Sequence, residues 1–313
     1  MKTSTKIISF CLAASVLCST SLTAHAAARK EGQETGRVGQ FSLEQKLQSQ
    51  KKLDAVMRIC EIQEKYLRQG CSISQQERQE LEQLLSEYYP DAAISAYLPD
   101  PGMQTASLRE SADPNGAVIP SVVDAFPRVY LNLPGKLQQT GFYCGPASGY
   151  AVLNGLGIAV TQSELAGKMG TTKDGTGLEA VAPALNSYSG RNGKKFKYET
   201  LTREKNSTAA QWEKKFVNAA VTTLGGRYGV IYDVHQDPKR KGANYYLQGY
   251  DNNGRARSEI FHYVAGEGWD KKNYSTLHCL YYDSNNIDFG NDHHMHVTFS
   301  TMAVLCNDRG VIY

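Results

Sequence analysis

Cys144 stands where an extended stretch runs into a helix. In LQQTGFYCGPASGYAVLNGLG, residues 137–157, it is followed at once by Gly145, Pro146 and Ala147. Proline near a helix start is well placed, because its missing N–H would have no helical partner there. Cys144 is therefore expected at a helix N-terminus, where backbone N–H groups and the positive end of the helix dipole stabilise a thiolate and make it a nucleophile. The competing reading is a buried thiol that acts only as a small hydrophobe. Gln138, upstream in the same stretch, favours the chemical one. A thiolate attacking a carbonyl creates an oxyanion, which needs donors aimed at it. A side-chain amide can supply one donor and the Cys144 N–H another. Gln139 is the rival for that role, and without a base nearby either glutamine reads as a solvated loop residue.

A thiol nucleophile needs a base, and the base needs a third group to fix its tautomer. His262 lies in the strand-like EIFHYVAGEG, and a second strand-like run ends near Asp283. If the two form a hairpin turning near Lys272 and Asn273, His262 falls directly opposite Asp283. Opposed residues of an antiparallel ladder have β-carbons roughly 4.5–5.5 Å apart, within reach of a carboxylate–imidazole hydrogen bond. Asn285 shares the parity of Asp283 and is the reserve orienter. A one-residue slip would turn one partner to the other face. His278 has the opposite parity and is expected to point away. His235 reads as a strand-end surface residue. His293, His294 and His296 invite a metal reading, with His294 and His296 on one strand face. Asp292 adjoins them, but no familiar ligand spacing accompanies them, so no metal and no cofactor is expected.

The N-terminus says where the scaffold for these residues is expected to work. Lys2 and Lys6 precede the apolar run IISFCLAASVLC and the small-residue site Ala24-His25-Ala26, the pattern of a secretory signal cleaved near Ala26. The apolar run is too short to span a membrane, and no later run could do so. Residues 1–26 hold two lysines and no acidic residue, so cleavage takes the net charge from +3 to about +1. So balanced a charge gives no reason to expect nucleic acid or anionic lipid as a partner. Five cysteines remain, Cys60, Cys71, Cys144, Cys279 and Cys306, and an odd number in an exported chain implies a free thiol.

The rest of the chain divides by composition. Residues 27–90 carry two amphipathic helices, expected over 43–69 and 75–89, with capping boxes at Ser42/Gln45 and Ser74/Glu77. A continuous first helix and a Cys60–Cys71 bridge exclude each other, because the helix would hold the two too far apart. The helix is the reading taken. Residues 91–127 are rich in proline and small polar residues and read as a linker. Residues 128–313 mix short helices, including ones capped by Thr161/Glu164 and Thr176/Glu179, with later strands KKFKYETL, YGVIYDVH, IFHYVAGEG, TLHCLYYDS and HMHVTF. Helices mostly first and strands mostly later argue for an α+β fold. Cys279 and Cys306 either pair or are both core thiols.

The order Gln138, Cys144, His262, Asp283, with the cysteine opening a helix and the other two on later strands, resembles the papain superfamily. Within it, QQTGFYCGPASGYAVLNGLG, HYVAGEGW and LYYDSNN look like the bacteriocin-processing, double-glycine-type cysteine peptidases and their secreted stand-alone bacterial relatives. The resemblance covers roughly residues 128–313. It implies a papain-like domain with Cys144 as nucleophile, His262 as base, Asp283 as orienter and Gln138 as oxyanion donor. The family's exporters carry a membrane-spanning ATPase behind the peptidase. This sequence shows none, so neither export-coupled leader removal nor a double-glycine preference is expected. The helical hairpin is no part of the family's core and reads as a pro-segment, a spacer or a surface for a docking partner. Three functions follow: a secreted cysteine peptidase acting on peptide or protein substrates; another thiol-dependent acyl-transfer enzyme, such as a cell-wall peptide amidase or a transpeptidase; or a non-catalytic binding module on the same fold, to which the tyrosine-rich NYYLQGY would lend itself.

Overall fold

The computed structural model describes residues 39–70, 72–99, 121–240, 245–250, 259–285 and 293–313. The signal-like segment and most of the expected linker lie outside the described residues, as does Cys71. Eight α-helices and one seven-stranded antiparallel sheet make up the regular structure among them.

Two capped helices open the fold, α1 (Leu43–Arg68) and α2 (Gln75–Tyr88). Both expected capping boxes form, with Ser42 accepting from the Gln45 N–H and Ser74 from the Glu77 N–H. A short α3 (Ser121–Ala125) and β1 (Arg128–Tyr130) lead to α4 (Cys144–Gly155), α5 (Gln162–Met169) and α6 (Leu178–Asn186). Then follow β2 (Thr200–Leu201), α7 (Ala209–Gly225), β3 (Val230–Gln236), β4 (Ile260–Asp270), β5 (His278–Tyr282), β6 (His294–Thr298), α8 (Phe299–Leu305) and β7 (Gly310–Ile312). The strand order is β2-β7-β3-β4-β5-β6, with β1 paired to β4 as well. The cysteine-bearing helix α4 packs against β4 and β3, and α7 and α8 also pack on the sheet. This is the expected α+β layout: a Cys helix on an antiparallel sheet bearing His and Asp, preceded by a helical hairpin.

Three expectations need correcting. Only Thr200 and Leu201 of KKFKYETL pair as a strand. Thr176 and Glu179 form no capping box: α6 is capped by Gly177 without a side-chain bond. Thr176 is buried and shares a hydrogen bond with the Thr171 hydroxyl instead, 2.7 Å away. His235, expected on the surface, is buried at the end of β3. It lies between Asp308 (2.6 Å) and Glu259 (2.8 Å) and stacks on Phe261. Cys60, Cys279 and Cys306 are free thiols, the last two buried in the core, and α1 runs unbroken past Cys60.

The hairpin is built into the body of the protein. Val56, Ile59 and Ile62 of α1 are almost wholly buried in the same core as the sheet, and α1 packs on α7. Lys52 points inward from this helix. Its Nζ donates to the carbonyls of Lys197 and Tyr313, both at 2.5 Å, and sits over the rings of Tyr89, Tyr198 and Tyr313. Burial pushes the ammonium down to about 7, against the pull of Glu199.

That pKa carries a signed consequence. Below about 7, Lys52 is charged in both the folded and the unfolded chain, and the full cost of burying the charge is present. Between about 7 and its ordinary 10.5 the unfolded chain binds more protons, so stability rises with pH. Urea denaturation at about pH 7 and about pH 10 should show this rise in the wild type and a smaller one in Lys52→Met. An equal rise in both proteins would show that Lys52 is not its source.

Candidate active site

The approach to Cys144 is an irregular segment tied down along its length. The Leu131 N–H donates to the Glu267 carbonyl (2.7 Å), the Leu133 N–H to Glu267 Oε2 (3.2 Å) and the Gln138 N–H to the Ser284 carbonyl (2.8 Å). Gln162, the buried first residue of α5, holds the same segment from the other side. Its Nε2 donates to the Leu137 carbonyl and its Oε1 accepts from the Gln139 N–H, both at 2.9 Å. Gln138 is fixed on both sides, with its own side chain buried. The Gln139 side chain turns outward and accepts from Ser163 Oγ (3.3 Å).

The Gln138 amide curls into the turn that starts α4. Its Nε2 donates to the Thr140 carbonyl at 2.9 Å, and that carbonyl also accepts from the Tyr143 N–H. An amide nitrogen has two N–H donors, so one is left. Tyr143 is the N-cap of α4 but provides no side-chain cap, so the first-turn N–H groups are not consumed by one. Cys144 is 8% exposed. Gly145 follows it against the Thr176 hydroxyl: a β-carbon on Gly145 would lie 2.8 Å from Thr176 Oγ1. Only glycine lets α4 start this close to the 171–176 turn.

The expected base comes from the centre of the sheet. His262 is buried on β4, opposite Val234 of β3. Its Nε2 meets Asp283 Oδ1 at 2.8 Å, which leaves Nδ1 for Cys144. Burial works against the imidazolium, but the charge of Asp283, its hydrogen bond and the bond with Cys144 outweigh it, and His262 is raised to about 10. Burial likewise works against the Asp283 carboxylate. The His262 charge and hydrogen bond, the Asn285 N–H and the Tyr250 hydroxyl overcome it and hold Asp283 below its ordinary value.

The partners are the expected ones, but the register is not. A bulge at Glu267 shifts the β4–β5 ladder between Gly266↔Tyr281 and Gly268↔Leu280. Continuing from Ala265↔Tyr282 would set Asn285 opposite His262 and leave Asp283 diagonal to it. The displacement from the expected pairing is two residues, so Asp283 keeps its face and a diagonal contact replaces the direct one. The reserve orienter Asn285 does not take the ring. Its N–H donates to Asp283 Oδ1 (2.8 Å) and its side chain to the Tyr250 hydroxyl (2.8 Å).

The other histidines are engaged elsewhere. His294 Nδ1 pairs with the fully buried Glu267 at 2.7 Å. His296 and His278 cluster with Tyr274, which stacks on His278 at 4.0 Å. Among the described residues no three His, Cys, Asp or Glu side chains converge on a point where a metal could sit, and no helix is long and apolar enough to cross a membrane. Sequence reading missed Tyr250, Glu267 and Gln162. Gln162 and Glu267 had one available signal, polarity within otherwise regular elements. Tyr250 had none, because its contact with Asp283 spans 33 residues of chain.

A model of the Peptidase_C39 like family matches residues 130–302, which include Gln138, Cys144, His262 and Asp283. No curated protein matches the chain. Among solved structures, the chain is similar to a recombinant stem bromelain precursor, at 11% identity and a TM-score of 0.39, over 83% of this chain and 91% of that one. It is also similar to the proform of the Amb a 11 cysteine protease, a major ragweed pollen allergen. There the identity is 10% and the TM-score 0.38, over 83% of this chain and 88% of that one.

The expected oxyanion role of Gln138, against that of its rival Gln139, is open to a direct test. Gln138→Ala should lower kcat for a peptide amide by roughly 10²–10³ with little change in KM, the loss seen when one oxyanion donor is removed. Gln139→Ala should stay within about twofold of wild type. The reverse pattern would assign the donor to Gln139.

Proposed function

This chain belongs to the Peptidase_C39 like family and is a cysteine peptidase, and we propose that it hydrolyses peptide bonds through a Cys144–His262–Asp283 triad with Gln138 as oxyanion donor, acting outside the cytoplasm. The observation that carries this reading is the buried 2.8 Å bond between His262 Nε2 and Asp283 Oδ1, with Cys144 hydrogen-bonded to the same imidazole. Asp283 fixes the ring so that Nδ1 addresses the thiol. With His262 raised to about 10, an imidazolium stands beside Cys144 at neutral pH, the partner that a thiolate nucleophile requires.

The chemistry follows from that pair. Cys144 Sγ adds to the scissile carbonyl carbon, and the π electrons move onto the oxygen. The free N–H of the Gln138 amide and the Cys144 backbone N–H stabilise the oxyanion. His262 gives its proton to the leaving amine as the C–N bond breaks, leaving a thioester. It then takes a proton from an entering water, whose oxygen displaces sulfur, and the imidazolium–thiolate pair is restored. The export reading is supported by the lysines, apolar run and A-x-A site of residues 1–26, outside the described residues. It predicts an exported form beginning after Ala26, which an intact mass would reveal. The packing of α1 into the core supports keeping the hairpin as part of the working protein, in preference to a spacer.

The test is a variant series on a peptide library, with folding checked by circular dichroism. Cys144→Ala should abolish turnover with the fold intact, and Asp283→Ala should lose less than His262→Ala. Undiminished turnover in all three would overturn the assignment. The alkaline limb of kcat/KM should fall near pH 10, where His262 gives up its proton. Release of products from purified peptidoglycan but not from the library would identify a cell-wall amidase working with the same residues.

A further inference from the structure

The NYYLQGY stretch holds a residue that the mechanism above leaves without a part. Residues 245–250 are docked on the sheet. The Leu247 N–H donates to Gln236 Oε1 (2.9 Å), the Gln248 N–H to the Tyr281 hydroxyl (3.1 Å), and Gln248 Oε1 accepts from the His296 N–H (3.1 Å). The segment ends on Tyr250, 1% exposed, whose hydroxyl lies 3.1 Å from Asp283 Oδ2. That is the carboxylate oxygen His262 does not use.

The direction of these bonds is fixed by chemistry. An amide nitrogen can only donate, so Asn285 Nδ2 donates to the Tyr250 oxygen at 2.8 Å. The Tyr250 hydroxyl proton is then the one directed at Asp283. Asn285 acts twice, through its side chain on Tyr250 and through its backbone N–H on Asp283 Oδ1. Asp283 is wholly buried, and a carboxylate there ionises only if donors replace the water it has lost.

We propose that Tyr250 is a positioning residue of the peptidase: it donates to the second oxygen of Asp283, keeps that carboxylate ionised and turned toward His262, and is itself oriented by Asn285. The inference rests on the triad reading above. Tyr250 touches neither the thiol nor the scissile bond in this scheme, and its effect reaches Cys144 through Asp283 and His262 alone. Without its proton, Asp283 takes up a proton more readily. At low pH the imidazolium then loses its counter-charge, and its support of Cys144 as a nucleophile is lost with it.

Iodoacetamide reads the Cys144 thiolate directly, with no need to know the natural substrate. The full chain is alkylated across a range of pH, and the Cys144→Ala variant is the blank for the other thiols. In Tyr250→Phe the acid-side inflection of Cys144 alkylation should move up by roughly one pH unit, as expected for the loss of a hydrogen bond to a charged group. Turnover of a peptide amide should fall about tenfold in kcat with KM within about twofold. Asn285→Ala should shift the inflection in the same direction by less. The double variant should be no worse than Tyr250→Phe, because the Asn285 side chain acts through Tyr250. An inflection in Tyr250→Phe that superimposes on wild type, or a loss confined to KM, would overturn the proposal. If Tyr250→Phe does not fold, the Asn285→Ala inflection decides, and its coincidence with wild type would overturn it. Failure of the triad reading looks different: wild type and Cys144→Ala would then be alkylated alike at every pH.

Discussion

A carboxylate and an imidazolium placed together in a dry interior are unfavourable unless every lost water contact is replaced. Removing one partner of such a pair costs roughly 3–5 kcal/mol, because the other charge is left buried alone. Asp283 is wholly buried and His262 nearly so. Much of the surrounding structure reads as the answer to that demand. Asp283 receives His262 and the Asn285 N–H on one oxygen and Tyr250 on the other. Its own N–H donates to the His293 carbonyl, and the next carbonyl, that of Ser284, accepts from Gln138. The backbone that satisfies the acid thus also places the proposed oxyanion donor.

The bulge in β4 serves the same end. At Glu267 the ladder gains a residue, and the side chain turns inward to bind Leu133 and His294. Gly268 follows where β1 crosses so closely that a β-carbon would strike the Val129 carbonyl. One irregularity therefore draws in β1, the approach segment and β6. Both sides of the proposed reaction, the imidazole and the amide donor, hang from the β4–β5 pair, while the sulfur comes from a helix packed against β4. Their spacing depends on that one helix–sheet contact. Ala147 and Ala151 of α4 are without exposure, and Gly149 lets α5 pack closely on it, since a β-carbon there would lie 3.0 Å from the Met169 side chain.

What was legible in the sequence is what local chemistry writes. Ser42, Ser74 and Thr161 cap their helices because a hydroxyl three residues before a Glu or Gln satisfies orphan N–H groups wherever it occurs. The position of Cys144 at a helix start was local in the same sense. The pairing of His262 with Asp283 was legible through parity: the register was off by two, and two is the error a strand forgives. Thr176 misled because its capping pattern was right and its surroundings were not; burial against Gly145 gave the hydroxyl another partner. Tyr250 was illegible because nothing in an isolated NYYLQGY distinguishes a tyrosine that donates to a buried acid from one that faces water. The bulge was illegible because Glu267 and Gly268 take their meaning from β1 and β6.

The helical hairpin belongs to this argument although it lies outside the residues the peptidase family model covers. Lys52 and Ser49 of α1 reach the last residue of the chain: Lys52 donates to the Tyr313 carbonyl, and the Tyr313 hydroxyl donates to the Ser49 carbonyl. Tyr313 exchanges backbone bonds with Glu199, continuing the pairing of β7 with β2. β7 pairs with β3, and β3 holds His262 through Val234↔His262. Every link in this series is a hydrogen-bonded ladder or a buried lysine contact. Losing α1 would remove the cation from the Tyr89, Tyr198 and Tyr313 rings and the lysine donor from two carbonyls. The strand that bears His262 would then be supported through a sheet whose far edge had lost its cover. The lysine of α1 lies inside an aromatic cage and is bound to the backbone of both segments of that edge, before β2 and after β7.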